Sequence, residues 1–165
     1  MAGRYHRMNL SRPVGHGSAA FESASRAVLS LRMHNKAGVK MSMPGDTVRL
    51  GDVVRLRFGV GPVALSGSCD VISVIDEPRR RGFRYRTRPD HPEEGEESFT
   101  VDWAPDDQVV VTVESFARPN KLLIRLAGPL ARLGALLVNR RYLWAVRKIV
   151  ASEAAGSRPT WMGPA

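Results

Sequence analysis

The sequence predicts an α+β fold in which a helix, several antiparallel strands and a long C-terminal helix follow one another. Three observations predict it. Apolar residues recur at three- and four-residue spacing over 18–33, alternate with polar residues over 48–116, and return to helical spacing over 120–150. Short strands joined by turns indicate antiparallel pairing, because parallel strands need long crossovers. A long helix that crosses such a sheet encloses a cavity wherever the sheet curves away from it.

The first predicted helix runs from Ser18 to Met33. Ser18 is a suitable N-cap, and the apolar face comprises Phe21, Ala24, Val28 and Leu31. Gly15-His16-Gly17 before it resembles a phosphate-binding turn, but the preceding residues show no strand pattern, so we expect a hinge and cap instead. The N-terminal residues are expected to form an ordered or frayed start of the domain.

Alternation with period two predicts the strands of the sheet. The clearest strand places Phe83, Tyr85 and Thr87 on one face and arginines on the other. The other predicted strands contain Val54–Phe58, Val63–Leu65, Val71–Ile75, Phe99–Trp103 and Val109–Phe116.

The long C-terminal helix is predicted over Asn120–Val150. Its leucine stripe (Leu126, Leu130, Leu133 and Leu137, continued by Trp144) is expected to be buried against the sheet. Gly128-Pro129 should kink the helix or divide it in two, because proline cannot donate to the preceding turn. The predicted organisation is one domain over 1–150 and a flexible tail over 151–165.

The net charge of +9 comes from 25 basic and 16 acidic residues and raises the possibility of a nucleic-acid or anionic-membrane partner. The charges fall in blocks, however. Residues 79–88 hold six arginines, 89–114 hold nine acids, and 115–150 hold eight basic residues. Blocks of opposite sign in one domain most simply neutralise each other, which argues against both partners. No signal peptide or membrane span is evident, so the predicted location is the cytoplasm.

Several classes of site lack the residues that they need. A single cysteine, Cys69, excludes an internal disulfide and a cysteine-based zinc site, and the four histidines lack ligand spacing. We therefore predict no metal and no cofactor. No nucleophile elbow of the G-x-S-x-G type occurs, so a hydrolase triad has no support.

The richest segment chemically is 89–97, which contains His91 and four glutamates. Neighbouring carboxylates can tune a histidine for proton transfer, so His91 with Glu96 or Glu97 is a candidate acid/base set. The alternative is a solvated, acid-rich hairpin loop. A carboxylate that pointed inward would need a partner such as Arg118. Tyr85 is expected on an inner face, where its hydroxyl needs a hydrogen-bond partner.

These residues together resemble the DUF1990 (UPF0548) family of uncharacterised proteins. The resemblance extends from about Tyr5 to Lys148 and is most specific in the string Gly82-Phe83-x-Tyr85-x-Thr87-x-Pro89-x-His91-Pro92-x-x-Gly95-Glu96-Glu97-x-Phe99. Arg86, Arg88 and Asp90 stand where the family usually has small or apolar residues. If their side chains face the cavity, we expect a more polar or anionic ligand than in other members of the family. If they face solvent, the difference has little effect on the ligand.

The resemblance implies a helix-grip fold, similar to the plant allergen Bet v 1 and to START lipid-transfer domains, in which a curved sheet wraps around the C-terminal helix. It implies a small hydrophobic or amphipathic ligand in a cavity between sheet and helix. The alternatives are a cavity enzyme of cyclase, hydrolase or isomerase type, and a binder of nucleic acid or anionic membrane through the arginine-rich helix. The predicted ligand-binding residues are Tyr85, Thr87, His91, Glu96, Phe99, Arg118 and Trp144.

Overall fold

A computed structural model describes residues 5–59, 61, 64–120 and 128–157. Within them, seven strands form one antiparallel sheet in the order β1-β7-β6-β5-β4-β3-β2. The strands are β1 (His6–His16), β2 (Val39–Ser42), β3 (Val53–Phe58), β4 (Leu65–Glu77), β5 (Arg80–Thr87), β6 (Glu93–Trp103) and β7 (Gln108–Pro119). The helices are α1 (Gly17–Leu29), α2 (Arg32–Lys36) and α3 (Pro129–Gly156).

The sheet curls around α3, and the core lies between them. Its fully buried members come from α1 (Phe21), α2 (Met33), the central strands (Phe83 and Phe99) and the C-terminal half of α3 (Val146). Register shifts at Pro13–Gly15 in β1 and at Val71–Ser73 in β4 interrupt the pairing. Such irregularities bend a strand and increase its twist, which suits a sheet that wraps around a helix.

The predicted strands in 71–75, 83–87, 99–103 and 109–116 lie within β4, β5, β6 and β7. Two strands were not predicted. β1 is an edge strand with alternating burial, and Pro13 is tolerated there at the register shift. β2 is short, and the side chain of Asn35 fixes its approach, because the Met41 N–H donates to Asn35 Oδ1 at 2.9 Å.

The first helix also differs from its prediction. It begins at Gly17 (φ +80°) and ends at Leu29, and the chain turns at Leu31 before α2. Leu31 adopts φ +60° and is buried at 1% exposure. Burial of the leucine side chain outweighs the cost of this left-handed conformation, so one predicted helix becomes two.

The predicted burial of the leucine stripe is wrong. Leu130, Leu133 and Leu137 are 74%, 51% and 50% exposed, and Leu126 lies outside the described residues. The buried face of α3 is a second stripe at helical spacing, formed by Asn139, Tyr142, Leu143, Ala145, Val146, Ile149 and Val150. The helix thus carries two apolar stripes, and spacing alone does not say which one meets the sheet.

The predicted end of the long helix at Val150 is also wrong, because α3 continues to Gly156. Glu153 accepts hydrogen bonds from Ser23 (2.6 Å), Arg26 (3.0 Å) and Arg32 (2.9 Å), which attach this last part of α3 to α1 and α2. These bonds hold the pKa of Glu153 below its usual value. Two parts of the predicted C-terminal region lie outside the described residues: 121–127 of the predicted helix and 158–165 of the predicted tail.

Candidate functional site

A cavity of about 560 Å³ lies between the inner face of the sheet and the N-terminal half of α3. Its walls are largely apolar and include Val39, Leu56, Ala117, Ala135 and Leu136. The strand residues face it because side chains at alternate positions share one face of a sheet. α3 spans this space with Gly134, Ala135, Leu136, Val138 and Asn139, whereas the exposed residues of its leucine stripe do not line the cavity.

One wall of the cavity is polar. Tyr85 and Glu97 are directly opposite each other on β5 and β6, and the Tyr85 hydroxyl donates a hydrogen bond to Glu97 Oε2. Asn139 of α3 lies beside the same carboxyl group and lowers its pKa, and Tyr142 stands one helical turn further on. Glu93 lies four positions before Glu97 on the same face of β6 and completes this wall.

Burial dominates the electrostatics of this polar wall. It raises the pKa of Glu97 to about 7, while the Tyr85 hydrogen bond opposes that rise and the charge of Glu93 adds to it. Burial likewise raises the pKa of Glu93, and it raises the pKa of Tyr85 and Tyr142 well above that of free tyrosine. Glu97 is therefore poised to exchange a proton near neutral pH.

The loop between β5 and β6 carries His91 to the cavity. Two backbone bonds shape it, from Arg88 N–H to Ser68 O and from His91 N–H to Arg88 O, both 2.9 Å. The Ser68 hydroxyl donates to the Asp90 carboxylate at 2.8 Å, which lowers the pKa of Asp90. Asn120 fixes the other side of the loop through its amide, which donates to the His91 carbonyl at 3.2 Å. His91 is only 8% exposed, so this part of the loop is not the solvated hairpin of the alternative prediction.

Gly67 on β4 allows this loop to pack closely. A Cβ atom at Gly67 would lie 2.7 Å from the His91 Cα and 2.9 Å from its ring carbon Cδ2. No side chain fits there without displacing His91. The Glu93 N–H donates to His91 Nδ1 at 3.0 Å, which further orients the ring.

Three of the sequence-predicted residues meet at the cavity: Tyr85, His91 and Glu97. The expectation that Glu96 borders it with them is wrong. Glu96 occupies the opposite face of β6, where its carboxylate pairs with Arg86 at 2.7 Å and Arg84 at 3.8 Å. Adjacent residues on a strand point to opposite faces, so only one of Glu96 and Glu97 can face inward.

The other predicted ligand-binding residues lie elsewhere. The Thr87 hydroxyl accepts a hydrogen bond from Gly95 N–H at 2.8 Å, and Phe99 is fully buried in the core. Arg118 pairs with Glu94 at 2.8 Å on the outer face of the sheet. Trp144 belongs to the exposed leucine stripe and is 44% exposed. None of these four side chains lines the cavity.

Three residues of the polar wall, Glu93, Asn139 and Tyr142, are not among the site residues that the sequence predicts. The signal for Glu93 was available, because Phe99 and Val101 mark the odd-numbered positions of β6 as the inward face. Asn139 was not identified because the prediction placed the leucine stripe of α3, which does not contain Asn139, against the sheet. Had the other apolar stripe been assigned to the sheet, Asn139 and Tyr142 would have been predicted on the face of α3 that points towards the sheet.

Arg86, Arg88 and Asp90, where the sequence departs from the family pattern, lie outside the cavity lining. Arg86 pairs with Glu96, Arg88 pairs with Asp70 at 3.1 Å, and Asp90 bonds Ser68. These three residues therefore contribute no side chain to the cavity walls.

Within the described residues, five of the six arginines of the arginine-rich block form ion pairs, mostly with acidic residues of the sheet. Pairs join Arg80 to Asp102 at 3.6 Å and Arg81 to Asp76 at 2.9 Å, besides those of Arg86 and Arg88. The acidic block does not reach the basic residues of α3 in this way: across the described ranges, no ion pair involves Arg140 or Arg147. In the same ranges no helix is long and apolar enough to cross a membrane, and no cluster of three or more histidine, cysteine or acidic side chains could hold a metal ion.

The fold matches several solved structures. A hypothetical protein from Helicobacter pylori superimposes with a TM-score of 0.66 at 8% identity, over 89% of this chain and 88% of that one. A norcoclaurine synthase point mutant from Thalictrum flavum, in complex with a transition-state analogue, gives a TM-score of 0.61 at 15% identity over 93% and 99%. The ginseng major latex-like protein from Panax ginseng gives 0.56 at 13% identity over 92% and 98%. These likenesses show the helix-grip, Bet v 1-like fold.

Sequence comparison identifies the family. A UPF0548 protein of Deinococcus radiodurans is 32% identical in an alignment of 130 residues that covers 71% of this chain. The matched region spans 64% of the length of that relative. The family model described as "Domain of unknown function (DUF1990)" matches residues 2–145. The chain therefore belongs to the DUF1990 family, as its central motif predicted.

Proposed function

We propose that the protein binds a small, largely apolar molecule in the cavity beneath α3. The observation that carries the proposal is a volume of about 560 Å³ with apolar walls and polar groups confined to one wall. Small-molecule sites in proteins typically measure about 300–1,000 Å³ and combine apolar walls with a few polar groups that orient the ligand. The cavity matches this description in size and in composition.

The position of the cavity also supports binding. The core of the domain packs against the C-terminal half of α3, whereas the N-terminal half spans open space over Leu56 and Ala117. An apolar ligand there would remove wall surface from water, at about 25 cal/mol for each Å². Binding would therefore stabilise the folded protein in proportion to ligand concentration.

Two variants of α3 test the proposal on the whole chain. Ala135→Trp fills the cavity from the helix, and Leu133→Trp introduces the same ring on the exposed stripe two residues away. Native mass spectrometry of each protein, purified from its own host, measures a co-purifying small molecule. We expect wild type and Leu133→Trp to carry it and Ala135→Trp to lose it. Equal retention by all three would contradict a site in this cavity.

A second candidate function is acid/base catalysis in the same cavity, with Glu97 as the acid or base. The Tyr85–Glu97 hydrogen bond and the pKa of Glu97 near 7 favour it. Nitrobenzisoxazole is a suitable probe: a base removes the ring C–H proton, the N–O bond breaks, and a coloured cyanophenolate forms. Turnover that Glu97→Gln abolishes and Glu96→Gln retains would support catalysis. No turnover above that of buffer would contradict it.

A further inference from the structure

The four glutamates at the start of β6 differ in their partners according to the face that they occupy. Glu94 and Glu96 point outward, and each pairs with arginine: Glu94 with Arg118 at 2.8 Å, and Glu96 with Arg86 at 2.7 Å. Glu93 and Glu97 point into the cavity. Among the residues that the structure describes, neither forms an ion pair. The two carboxyl groups without a positively charged partner, those of Glu93 and Glu97, are therefore the ones that a ligand in the cavity would contact.

Unpaired carboxyl groups in an apolar cavity are costly. An ionised carboxylate away from water needs a positive charge or several hydrogen-bond donors. Tyr85 supplies Glu97 with a hydrogen-bond donor but with no charge. The basic residues of the lining, Arg7 and Arg132, are exposed at its edge, where water screens them.

Asn139 gives independent support for a ligand that donates hydrogen bonds. Its side chain lines the cavity and is only 4% exposed. The amide nitrogen donates to Met8 Sδ at 3.6 Å, while the Oδ1 atom has no hydrogen-bond partner within the described part of the chain. A buried acceptor without a partner is unfavourable, because it has lost its hydrogen bonds to water. The polar wall thus holds more acceptors than donors.

We propose that the ligand of this cavity is a protonated amine on an apolar body, with its ammonium group on the Glu97 carboxylate beside Asn139. Glu93 adds a second negative charge on the same wall. An ammonium group has three donors and no acceptor, which complements this wall, whereas the apolar body would lie against Leu56, Ala117 and Ala135. The assignment rests on the proposed binding function and narrows its ligand class.

Three probes that share one ring system and differ in their polar end test the assignment. They are naphthylethylamine, naphthylethanol and naphthylacetate, titrated into the full chain at neutral pH by calorimetry. We expect the amine to bind at least about tenfold more tightly than the alcohol, since hydrogen bonds to charged groups contribute about 1.5–3 kcal/mol. Naphthylacetate should bind most weakly, because the wall repels its charge.

Two glutamine variants make the test specific. Glu97→Gln should reduce the preference for the amine to less than about threefold while the alcohol still binds, because the variant removes charge and keeps the shape. Glu96→Gln is the matched control, since its side chain lies on the outer face next to Glu97. It should keep the full preference.

The outcomes separate the two proposals. If the alcohol binds as tightly as the amine, or the acetate binds best, the cavity is a binding site but the amine assignment is overturned. If none of the three probes binds, the proposed function fails with it. An amine preference that survives Glu97→Gln would also overturn the assignment to this wall.

Discussion

The phenol of Tyr85 and the carboxyl group of Glu97 face each other across the β5–β6 pair and share a hydrogen bond inside the cavity. Register fixes this relationship, because the two residues are direct partners in the ladder. Each group shifts the pKa of the other: the phenol lowers the pKa of Glu97, and the carboxylate raises the pKa of Tyr85. The pair is the centre of the polar wall.

Removal of the phenol hydroxyl should raise the pKa of Glu97. Tyr85→Phe leaves the ring in place and takes away a donor that favours the charged carboxylate. We expect the pKa of Glu97, measured by NMR titration of its side chain, to rise above about 7. An unchanged or lower pKa would show that the hydrogen bond contributes nothing to the charged form.

Glu97 should make the protein less stable as the pH rises. Its folded-state pKa of about 7 lies above the ordinary value of 4.5, so the folded state binds more protons between these values. Its contribution is therefore present below about pH 4.5 and is lost as the pH rises through 7, by at most about 1 kcal/mol per pH unit. Denaturant unfolding of wild type and Glu97→Gln at several pH values measures the difference. A difference that is constant from pH 5 to 8 would contradict burial of this carboxyl group.

His34 should act in the opposite direction. It is fully buried between Phe99 and Tyr142, with ring centroids 4.7 Å away, and burial lowers its pKa from 6.5 to about 3. The unfolded chain binds the proton first, so stability falls as the pH drops from about 6.5 towards 3.

His34→Phe removes this dependence. Neither ring nitrogen of His34 has a hydrogen-bond partner in the described ranges, so the variant should also be more stable by about 1 kcal/mol at neutral pH. Thermal unfolding from pH 4 to 7 measures both effects, with His16→Phe at the exposed end of β1 as the control. A steeper loss of stability in acid for His34→Phe than for wild type would contradict a neutral buried histidine.

The two stripes of α3 predict opposite results for the same substitution. Leu133→Asp falls on a half-exposed position and should change the free energy of unfolding by less than about 1 kcal/mol. Val146→Asp places a carboxylate at a position with no exposure and should prevent folding. Circular dichroism and solubility of the two variants decide between them. A folded Val146→Asp protein together with an unfolded Leu133→Asp protein would restore the original prediction from the leucine spacing.

The sequence was sufficient for the succession of a first helix, the strands β4 to β7 and the C-terminal helix. It was also sufficient for the inward face of β5, because Phe83, Tyr85 and Thr87 alternate with charged residues. It was insufficient where two answers satisfied the same pattern. α3 offers two apolar stripes, and only the position of the sheet selects the one with Tyr142 and Val146.

Contacts distant in sequence account for the remaining differences. Glu153 extends α3 because Ser23 and Arg26, on another helix, bind its carboxylate. His91 reaches the cavity because Gly67 and Asn120 accommodate and hold its loop. No local pattern around Glu153 or His91 contains these partners. The motif of the family marked the loop without indicating which side chains turn inward.

The most direct test of the central claim is an NMR experiment on methyl-labelled protein with naphthylethylamine. Intermolecular NOEs report which methyl groups contact the ring. A ligand in the cavity predicts NOEs to Leu56, Ala117 and Ala135, with none to the exposed Leu130 and Leu133. NOEs confined to Leu130 and Leu133, or the absence of any NOE at saturating ligand, would contradict a binding cavity between the sheet and α3.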